Sequence, residues 1–365
     1  MKTVIAPATP EAVARAAQII RAGGLIAFPT ETVYGLGANA LDAAAAARIY
    51  EAKQRALNDP LIVHVATPAV STAGWHTETR LSAFGVSARQ FIDALCADGV
   101  VEKLSDEQLS RVEVLATRFW PGPLTLILPR GVRIPANVSA GLDTVAIRMP
   151  DHPIAQALIE ASGVPIAAPS ANHFGHVSPT TAQHVIDDLD GRIDMVLDGG
   201  PTRIGMESTV LDLTNDTPRI LRPGGITREQ ITEVLKIRDW GSEIRQSPIS
   251  NSQSLPSPGM LEKHYAPNAQ LIVCRDVTEL IDRQTSNVKR QLKTGVLIRA
   301  SEREACKDMH PQFVLGDTMS DIARNLYAGL RALDSADVDV ILMTDVPREG
   351  LGEAIADRLK RAAAK

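Results

Sequence analysis

Short apolar runs alternate with amphipathic or alanine-rich segments along most of this chain, and this alternation limits its fold more than any other feature. Apolar runs bounded by glycine, proline and polar clusters are typical of buried strands. They predict strands at 24–28, 61–65, 124–128, 144–148, 164–168, 195–198, 209–213 and 219–221, with helices at 10–21, 41–52, 107–119, 152–162 and 181–190. Because strands and helices do not alternate evenly, the pattern predicts an α/β fold with a twisted mixed sheet instead of a regular doubly wound sheet.

A polar stretch divides the chain into two parts. Between Trp240 and Pro258 the residues are mainly Ser, Gln, Asn and Pro, a composition that buries too little apolar surface to fold alone. Beyond it, a second alternation predicts strands at 270–274, 295–299, 313–315 and 338–343, with helices at 276–292, 318–333 and 351–364. A chain of 365 residues with 44% hydrophobic content can bury one large and one smaller core. We therefore predict a larger domain at 1–240, a linker at 241–267 and a small Rossmann-like α/β domain at 268–365.

Charge and cysteine content exclude several classes of protein. The 38 basic and 43 acidic residues are mixed along the chain and give a net charge of −5. This balance argues against a protein whose main task is to neutralise a nucleic-acid backbone, and it leaves room only for a weak, local contact with tRNA. Cys96, Cys274 and Cys306 are odd in number and too far apart for zinc-ligand spacing, which favours a reducing compartment. Without an export signal or a long apolar run, we expect a cytoplasmic protein that makes no membrane contact.

The segment that says most about function is 28–37, with the sequence Phe-Pro-Thr-Glu-Thr-Val-Tyr-Gly-Leu-Gly. A short strand here runs into hydroxyl residues and glycines, where backbone can approach a ligand closely and hydroxyls can donate to it. The next helix ends at two cations, Lys53 and Arg55, whose spacing of two keeps them off one helix face and lets them fork around an anion. They could instead simply complement the negative end of the helix dipole. Together these residues favour a nucleotide-phosphate site.

A second motif follows the predicted strand at 164–168, where the sequence breaks at Pro169 into Ser170 and Asn172. Such residues are often turn-formers that bond their own backbone. The pairing of Lys-x-Arg with Ser-x-Asn is nevertheless specific. With it, the chain resembles the YrdC-like family, and more closely the two-domain members of that family. The resemblance covers nearly the whole chain and is also carried by the segments 119–125, 145–150, 207–210, 221–224, 257–260 and 264–267.

The resemblance implies an activity. The two-domain members make L-threonylcarbamoyl-adenylate and pyrophosphate from L-threonine, bicarbonate and ATP, for threonylcarbamoyl-adenosine modification of tRNA, and pass the product to a downstream tRNA threonylcarbamoyl transferase machinery. In such a reaction an anionic carbamate attacks the α-phosphorus of a polyanion, so charge neutralisation and positioning matter more than a protein nucleophile. No His, Cys or carboxylate cluster has the spacing of a dedicated metal site, and the only metal expected is Mg²⁺ carried by ATP.

The resemblance also assigns the site residues, each by its match to a family motif. The catalytic group would be Lys53, Arg55, Ser170 and Asn172. ATP would be bound by Arg55, Asp59, Thr144, Ser170, Ser178, Arg222 and Tyr265, and threonine by Thr32, His64, Arg148, Ala168 and Ser208. Asp59 is the odd member, because a carboxylate repels polyphosphate unless magnesium or the backbone makes the contact. Arg148 would hold the threonine carboxylate, although it could instead pair with Asp151, and His64 could be an ordinary half-buried strand histidine.

Two segments leave alternatives open. The connection between His64 and Phe119 is longer than the family pattern implies; a helical flap, a dimer contact and a passive insertion are all compatible with it, and a passive insertion is favoured because long insertions cost little. The linker could be a passive tether, as most segments of this composition are. Gly259 and the prolines would instead let it fold back over the cleft, and the resemblance implies that it then places Tyr265 against ATP as a lid.

Three other functions are alternatives to adenylate synthesis for this sequence. A tRNA- or double-stranded-RNA-binding module is disfavoured by the acidic balance. A carbamoyl-transfer factor of the hydrogenase-maturation type would carry paired Cys-x-x-Cys motifs, which this sequence lacks. A hydrolase or regulator that lost synthesis is disfavoured by the intact Lys-x-Arg and Ser-x-Asn motifs.

Overall fold

The computed structural model describes residues 2–66, 87–237, 240, 254–257, 259–260 and 264–364. In these ranges ten strands form one mixed sheet and four form a second, parallel sheet, with helices packed against both. The predicted fold class, a mixed α/β sheet with a smaller α/β unit after it, is confirmed. In the described residues there is no helix long and apolar enough to cross a membrane.

The elements of the larger unit are listed here in chain order. Its strands are β1 (Val4–Pro7), β2 (Ile26–Pro29), β3 (Tyr34–Asn39), β4 (Ile62–His64), β5 (Leu124–Pro129), β6 (Thr144–Arg148), β7 (Ile166–Ala167), β8 (Met195–Asp198), β9 (Thr209–Asp212) and β10 (Arg219–Arg222). Its helices are α1 (Pro10–Arg21), α2 (Ala43–Lys53), α3 (Ala88–Ala97), α4 (Asp106–Phe119), α5 (Pro153–Ser162), α6 (Ala182–Leu189) and α7 (Arg228–Leu235). The strand order is β1-β8-β2-β3-β7-β4-β6-β5-β9-β10.

Most helix boundaries follow from capping chemistry visible in the sequence. The side chain of Thr9 accepts a hydrogen bond from the backbone of Ala12, and Pro10 occupies the first position of α1, where its missing N–H costs nothing. Ser105 and Gln108 form a reciprocal capping box at the start of α4. All eight strands predicted before the linker are present, with ends shifted by at most a few residues.

One predicted loop is a strand. Residues 34–39 form β3, which pairs antiparallel with β2 through a tight turn closed by Thr30, whose hydroxyl donates to the carbonyl of Val33 at 2.6 Å. The glycines in this strand kept it from being predicted, yet packing requires them. A Cβ on Gly37 would lie 2.7 Å from both Phe28 and Ile166, so only glycine lets the neighbouring side chains cross the sheet here.

The strand register brings one end of several strands together. β4 is parallel to β6, with His64 opposite Arg148, and antiparallel to β7, which leads into Pro169 and Ser170. An isolated bridge joins Gly35 of β3 to Ser170. The hairpin turn at 30–33, the ends of β4 and β6 and the loop after β7 therefore meet at one place.

Part of the long connection after His64 belongs to the core. Helix α3 buries Phe91 and Ile92, and the ring of Phe91 meets the ring of Trp120 edge-on at a centroid distance of 6.4 Å. The prediction of a passive insertion is therefore wrong for 88–97, because an amphipathic helix with a buried face contributes apolar burial. Residues 67–86, including Trp75 and Phe84, lie outside the described residues.

The second unit is a parallel sheet flanked by helices. Its elements are β11 (Gln270–Cys274), α8 (Val277–Lys289), β12 (Thr294–Ile298), β13 (Gln312–Val314), α9 (Met319–Ser335), β14 (Val340–Thr344) and α10 (Leu351–Ala362). The strand order is β11-β14-β12-β13. Cys274 and Cys306 are buried free thiols in this unit, and Cys96 is a partly exposed free thiol in the larger one.

Candidate active site

A small cavity lies where these strand ends and loops meet the linker. It is lined by Thr30, Val33, Gly35, Arg55, Ile62, His64, Arg148, Ala168, Pro169, Ser170, Glu207, Arg222, Gly259, His264 and Tyr265. The space inside it that water can occupy is about 40 Å³. A cavity of this size holds a water molecule but not a nucleotide, for which several hundred Å³ is typical. The linker residues in its wall account for part of this closure.

The two cations of the Lys-x-Arg motif diverge, as their spacing predicts. Helix α2 ends at Lys53, and Gln54 adopts a left-handed conformation that turns Arg55 away from the helix. The guanidinium of Arg55 forms a buried ion pair with Asp59 at 2.9 Å and donates to the carbonyl of Pro60 at 2.8 Å. Arg55 lines the cavity, whereas Lys53 lies just behind the wall.

Lys53 joins the two motifs directly. Its ammonium group donates to the backbone carbonyl of Ser170 at 2.6 Å and to the backbone carbonyl of Asn172. Burial, followed by the charge of Arg55, lowers the pKa of Lys53 well below its usual value. The side-chain amide of Asn172 donates to the carbonyls of His173 and His176. In this structure Asn172 therefore shapes its own loop, and Lys53 fixes that loop against α2.

Another part of the cavity wall is built around Arg148. Its guanidinium makes a buried ion pair with Glu31 at 2.8 Å and donates to the hydroxyl of Thr32, also at 2.8 Å. Among the described residues, none bonds to the Nε of Arg148. Asp151 instead pairs with Arg203, so the alternative pairing of Arg148 with Asp151 is wrong. Arg148 keeps one donor for a ligand in the cavity.

His64 is fully buried beside this ion pair, not half-buried. Its Nδ1 lies 3.1 Å from the carbonyl oxygen of Ile62, and its ring meets Phe28 edge-on. Burial and the nearby charge of Arg148 lower the pKa of His64 to about 3. The imidazole is therefore neutral at neutral pH, so it can form hydrogen bonds in the cavity but adds no positive charge.

A third buried arginine, Arg222, lies in the wall of the cavity. Arg222, at the end of β10, donates to the backbone carbonyl of Ser208 at 2.9 Å and to its hydroxyl at 3.2 Å. That hydroxyl also shares a 2.7 Å hydrogen bond with Thr125. Next to Ser208, the carboxylate of Glu207 accepts from the hydroxyl of Ser178 at 2.7 Å. Ser178 therefore contributes to the site through Glu207.

Linker residues complete the wall. Tyr265 has a φ of 61°, a left-handed conformation that is uncommon for a residue other than glycine, and its ring stacks on Tyr327 with a centroid distance of 5.8 Å. Gly259 also has a positive φ, and a Cβ there would lie 2.5 Å from the hydroxyl of Tyr265 and 3.2 Å from Arg222. Glycine is required at 259 because the tyrosine and the arginine pack directly against it.

The structure brings together thirteen of the fourteen predicted site residues. Those that line the cavity are Arg55, His64, Arg148, Ala168, Ser170, Arg222 and Tyr265. Those that contact a lining residue are Thr32, Lys53, Asp59, Ser178 and Ser208, and Asn172 contacts Lys53 behind the wall. Thr144 is not a lining residue. It begins β6 four positions before Arg148 and lies about 13 Å from it along the strand.

Sequence reasoning missed two carboxylates of this site. Glu31 is buried and pairs with Arg148, and Glu207 lines the cavity. Both stand inside motifs quoted for the resemblance, at 28–37 and 207–210, but a carboxylate is not expected beside bound anions. Each neutralises a buried arginine, which is the signal that could have identified it.

The described ranges contain no group of three or more His, Cys, Asp or Glu side chains placed to hold a metal ion. The carboxylates nearest the cavity are already paired, since Asp59 bonds to Arg55 and Glu31 to Arg148. Burial raises the pKa of Asp59, against the opposing effect of Arg55. These groups therefore offer no ready carboxylate ligand set.

Comparison with known proteins agrees with this geometry. A family model described as "Telomere recombination", of the Sua5, YciO and YrdC proteins, matches residues 18–224, and a model described as the C-terminal domain of threonylcarbamoyl-AMP synthase matches residues 226–364. Threonylcarbamoyl-AMP synthase of Pyrococcus abyssi is 45% identical over 358 residues, which cover 95% of this chain and 92% of that protein. The Bacillus subtilis protein of the same name is 41% identical, over 96% of this chain and 92% of the relative. The crystal structure of P. abyssi Sua5 complexed with L-threonine superposes with a TM-score of 0.80 at 42% identity, over 99% of this chain and 97% of that one. The chain belongs to the Sua5/YrdC family, in its two-domain threonylcarbamoyl-AMP synthase form.

Proposed function

We propose that this chain makes L-threonylcarbamoyl-adenylate from L-threonine, bicarbonate and ATP. The threonine amine condenses with bicarbonate to a carbamate, with loss of water, and a carbamate oxygen then attacks the α-phosphorus of ATP while pyrophosphate leaves. The observation that carries the proposal is the arrangement of cations. One cavity is lined by Arg55, Arg148 and Arg222, it includes a spare donor of Arg148, and its wall contains the loop held by Lys53.

This arrangement of charges suits an amino acid and a triphosphate, and the linker residues in the wall must move to admit them, because the cavity is too small for a nucleotide. We assign the threonine carboxylate to Arg148, because a guanidinium matches a carboxylate in charge and geometry. Thr32 and neutral His64 supply hydrogen bonds beside it. Arg55 and Arg222 face the phosphates, where fixed positive charge stabilises the charge that develops on the transferring and leaving groups. The relative solved with L-threonine bound supports an amino-acid end of this cavity.

We further propose that Mg²⁺ enters with ATP and is held by phosphate oxygens and water, since the nearby carboxylates already bind arginines. The adenylate would pass to a tRNA threonylcarbamoyl transferase machinery. Direct contact with tRNA would be weak and local; a binding assay at several salt concentrations tests this, because real phosphate contacts give a steep salt dependence.

The experiment for the main proposal uses the purified full chain with ATP, threonine and labelled bicarbonate. We expect threonine-dependent incorporation of label into a nucleotide product, together with pyrophosphate. Reactions without threonine, and reactions of an Arg55→Ala variant, are the controls. Pyrophosphate released at the same rate without threonine would indicate a hydrolase and contradict the proposal.

A Thr144→Val variant tests the predicted ATP contact that does not line the cavity. The parallel register of β4 and β6, in which Ile62 pairs with Ala146, places Thr144 level with Pro60, whose carbonyl accepts from Arg55. We therefore expect a weaker affinity for ATP in calorimetry, and wild-type affinity would exclude Thr144 as an ATP contact.

A further inference from the structure

The second domain reaches the active-site cavity through two buried side chains. Tyr327 on α9 and Arg358 on α10 are each 1% exposed. Both bond to one carboxylate oxygen of Glu207, the tyrosine hydroxyl at 2.8 Å and the arginine Nε at 2.9 Å. Glu207 belongs to the larger domain and lines the cavity. Two residues of the second domain therefore contact the wall of the site directly.

Both carboxylate oxygens of Glu207 accept hydrogen bonds, and one of these bonds comes from a charged guanidinium. Its other carboxylate oxygen accepts from Ser178 at 2.7 Å. Burial alone would raise the pKa of Glu207, but the guanidiniums of Arg358 and Arg222 lower it to about 2. The carboxylate is thus an anion held by three donors, and its orientation fixes the backbone of the adjacent Ser208, to which Arg222 is bonded.

Arg358 holds two further parts of the wall. Its Nη2 donates at 3.0 Å to the carbonyl of Pro223, the residue after Arg222. Its guanidinium also lies over the ring of Tyr265, 4.9 Å from the centroid, a cation–π geometry. One planar, multi-donor group thereby joins the segment at 207–208, the end of β10 and the linker. A lysine, with a single point charge, cannot reproduce all of these contacts.

These contacts differ from an ordinary bond between domains. The same helix α10 carries Glu353, which pairs with Arg228 of α7 at 2.6 Å in a partly exposed position. That pair joins the two domains without lining the cavity, so it provides a matched comparison for Arg358. Arg358 is buried and contacts a lining carboxylate and a lining aromatic ring; Glu353 does neither.

We propose that Arg358 and Tyr327 are positioning residues for the nucleotide end of the active site, supplied by the second domain through Glu207 and Tyr265. This inference rests on the proposed function in one respect, the assignment of ATP to the Arg222 end. It gives the second domain a role in the reaction itself: the nucleotide end of the cavity takes its shape only when α9 and α10 are docked.

The test compares Arg358→Lys, Tyr327→Phe and the control Glu353→Gln in the full chain. ATP affinity is measured by calorimetry, and KM for ATP and KM for threonine by pyrophosphate release. We expect Arg358→Lys to weaken ATP binding about 10- to 100-fold, as loss of hydrogen bonds to a charged group does. Tyr327→Phe should weaken it by about 3- to 10-fold. KM for threonine should stay within about twofold in both, because Arg148 is held by Glu31 and Thr32 and not by Glu207. Glu353→Gln should match the wild type.

A second pair of variants separates positioning from folding. Arg358→Met leaves Glu207 buried without its cationic partner, so this variant is expected to be less stable in urea. Adding Glu207→Gln should recover much of that stability without recovering ATP affinity. Recovery of both would show that Arg358 only compensates a charge, and would overturn the proposal.

Two further outcomes are decisive. Wild-type ATP affinity in both Arg358→Lys and Tyr327→Phe would overturn the inference, as would equal losses for ATP and threonine. A wild-type chain that binds ATP but makes no adenylate would refute the proposed function. The ATP affinities of the Arg358→Lys and Tyr327→Phe variants would still test the positioning role. A wild-type chain that binds no ATP would overturn both.

Discussion

Replacing Arg148 by methionine should damage stability and substrate binding for two separable reasons. Arg148 and Glu31 are an ion pair at 2.8 Å whose side chains are 4% and 0% exposed. Removing one partner of a buried pair leaves an uncompensated charge and typically costs about 3–5 kcal/mol. That is a large share of the roughly 5–15 kcal/mol that stabilises a domain. Arg148→Met should therefore shift the urea midpoint strongly.

The double variant Glu31→Gln with Arg148→Met removes both charges. Replacing a buried pair by uncharged groups is often nearly neutral for stability, so most of the loss should be recovered. Threonine affinity should not recover, because the guanidinium assigned to its carboxylate is still missing. A lost charge-assisted hydrogen bond corresponds to about a 10- to 100-fold weaker affinity.

The measurements are urea unfolding and calorimetric titration with L-threonine. Lys293→Met serves as the control, since Lys293 and Asp337 form a pair with side chains 66% and 90% exposed and such pairs contribute at most about 1 kcal/mol. If Arg148→Met costs no more than Lys293→Met, the stability argument is wrong. If the double variant binds threonine as the wild type does, Arg148 does not hold the substrate.

Four further results are expected. Lys53→Ala should lower the rate of adenylate synthesis about a hundred- to thousand-fold. It should also reduce stability, unlike a surface change, because the carbonyls of Ser170 and Asn172 lose their donor. Near-full activity, measured by pyrophosphate release, would contradict this prediction. Initial rates with valine should fall up to about 10⁴-fold and those with serine by roughly 10- to 200-fold, and equal rates for valine and threonine would exclude a hydroxyl-binding pocket. Burial lowers the pKa of His64 to about 3 in the folded chain, below its usual 6.5, so the unfolded chain binds an extra proton between these values. Urea unfolding at pH 6.5 and at pH 5 should therefore show a loss of stability about 2 kcal/mol larger than in a His64→Gln variant; equal losses would refute burial as the cause. Tyr265→Ala should weaken ATP binding in calorimetry while leaving the unfolding midpoint of the larger domain unchanged. Truncation after residue 250 should reduce the net yield of adenylate. Full activity in both proteins would show that the linker is only a tether.

Local rules account for much of the fold. The capping residues and apolar runs predicted most helices and strands, because those signals depend on neighbouring residues. The strand β3 was missed because Gly35 and Gly37 are poor strand formers in isolation. They are present because Phe28, Ile166 and Ala168 pack across them, which is a tertiary cause. Helix α3 was missed for a similar reason, since its partner Trp120 lies about thirty residues away.

The site residues also fall into two groups, those that short motifs identify and those that only the fold brings together. The residues that would touch substrate stand in short motifs, so a resemblance to a family could locate them. Their partners could not be found from spacing: Glu31 and Arg148 are 117 positions apart, and Glu207 and Arg358 are 151 apart. Such pairs are created by topology, and a sequence read alone gives no measure of distance between elements.

The pairing of each cavity arginine with a carboxylate explains why acidic residues surround a site for anions. A buried guanidinium without a counter-charge would oppose folding, so Asp59 beside Arg55, Glu31 beside Arg148 and Glu207 near Arg222 keep the ligand-free chain stable. Asp59 and Glu31, which are bonded to their arginines, also fix them in one orientation, which reduces the reorganisation needed when an anion arrives. This argument changes the reading of Asp59 from a direct ATP contact to the group that orients Arg55. Asp59→Asn should then preserve part of ATP binding while weakening turnover more strongly, whereas loss of binding equal to that of Arg55→Ala would restore a direct contact.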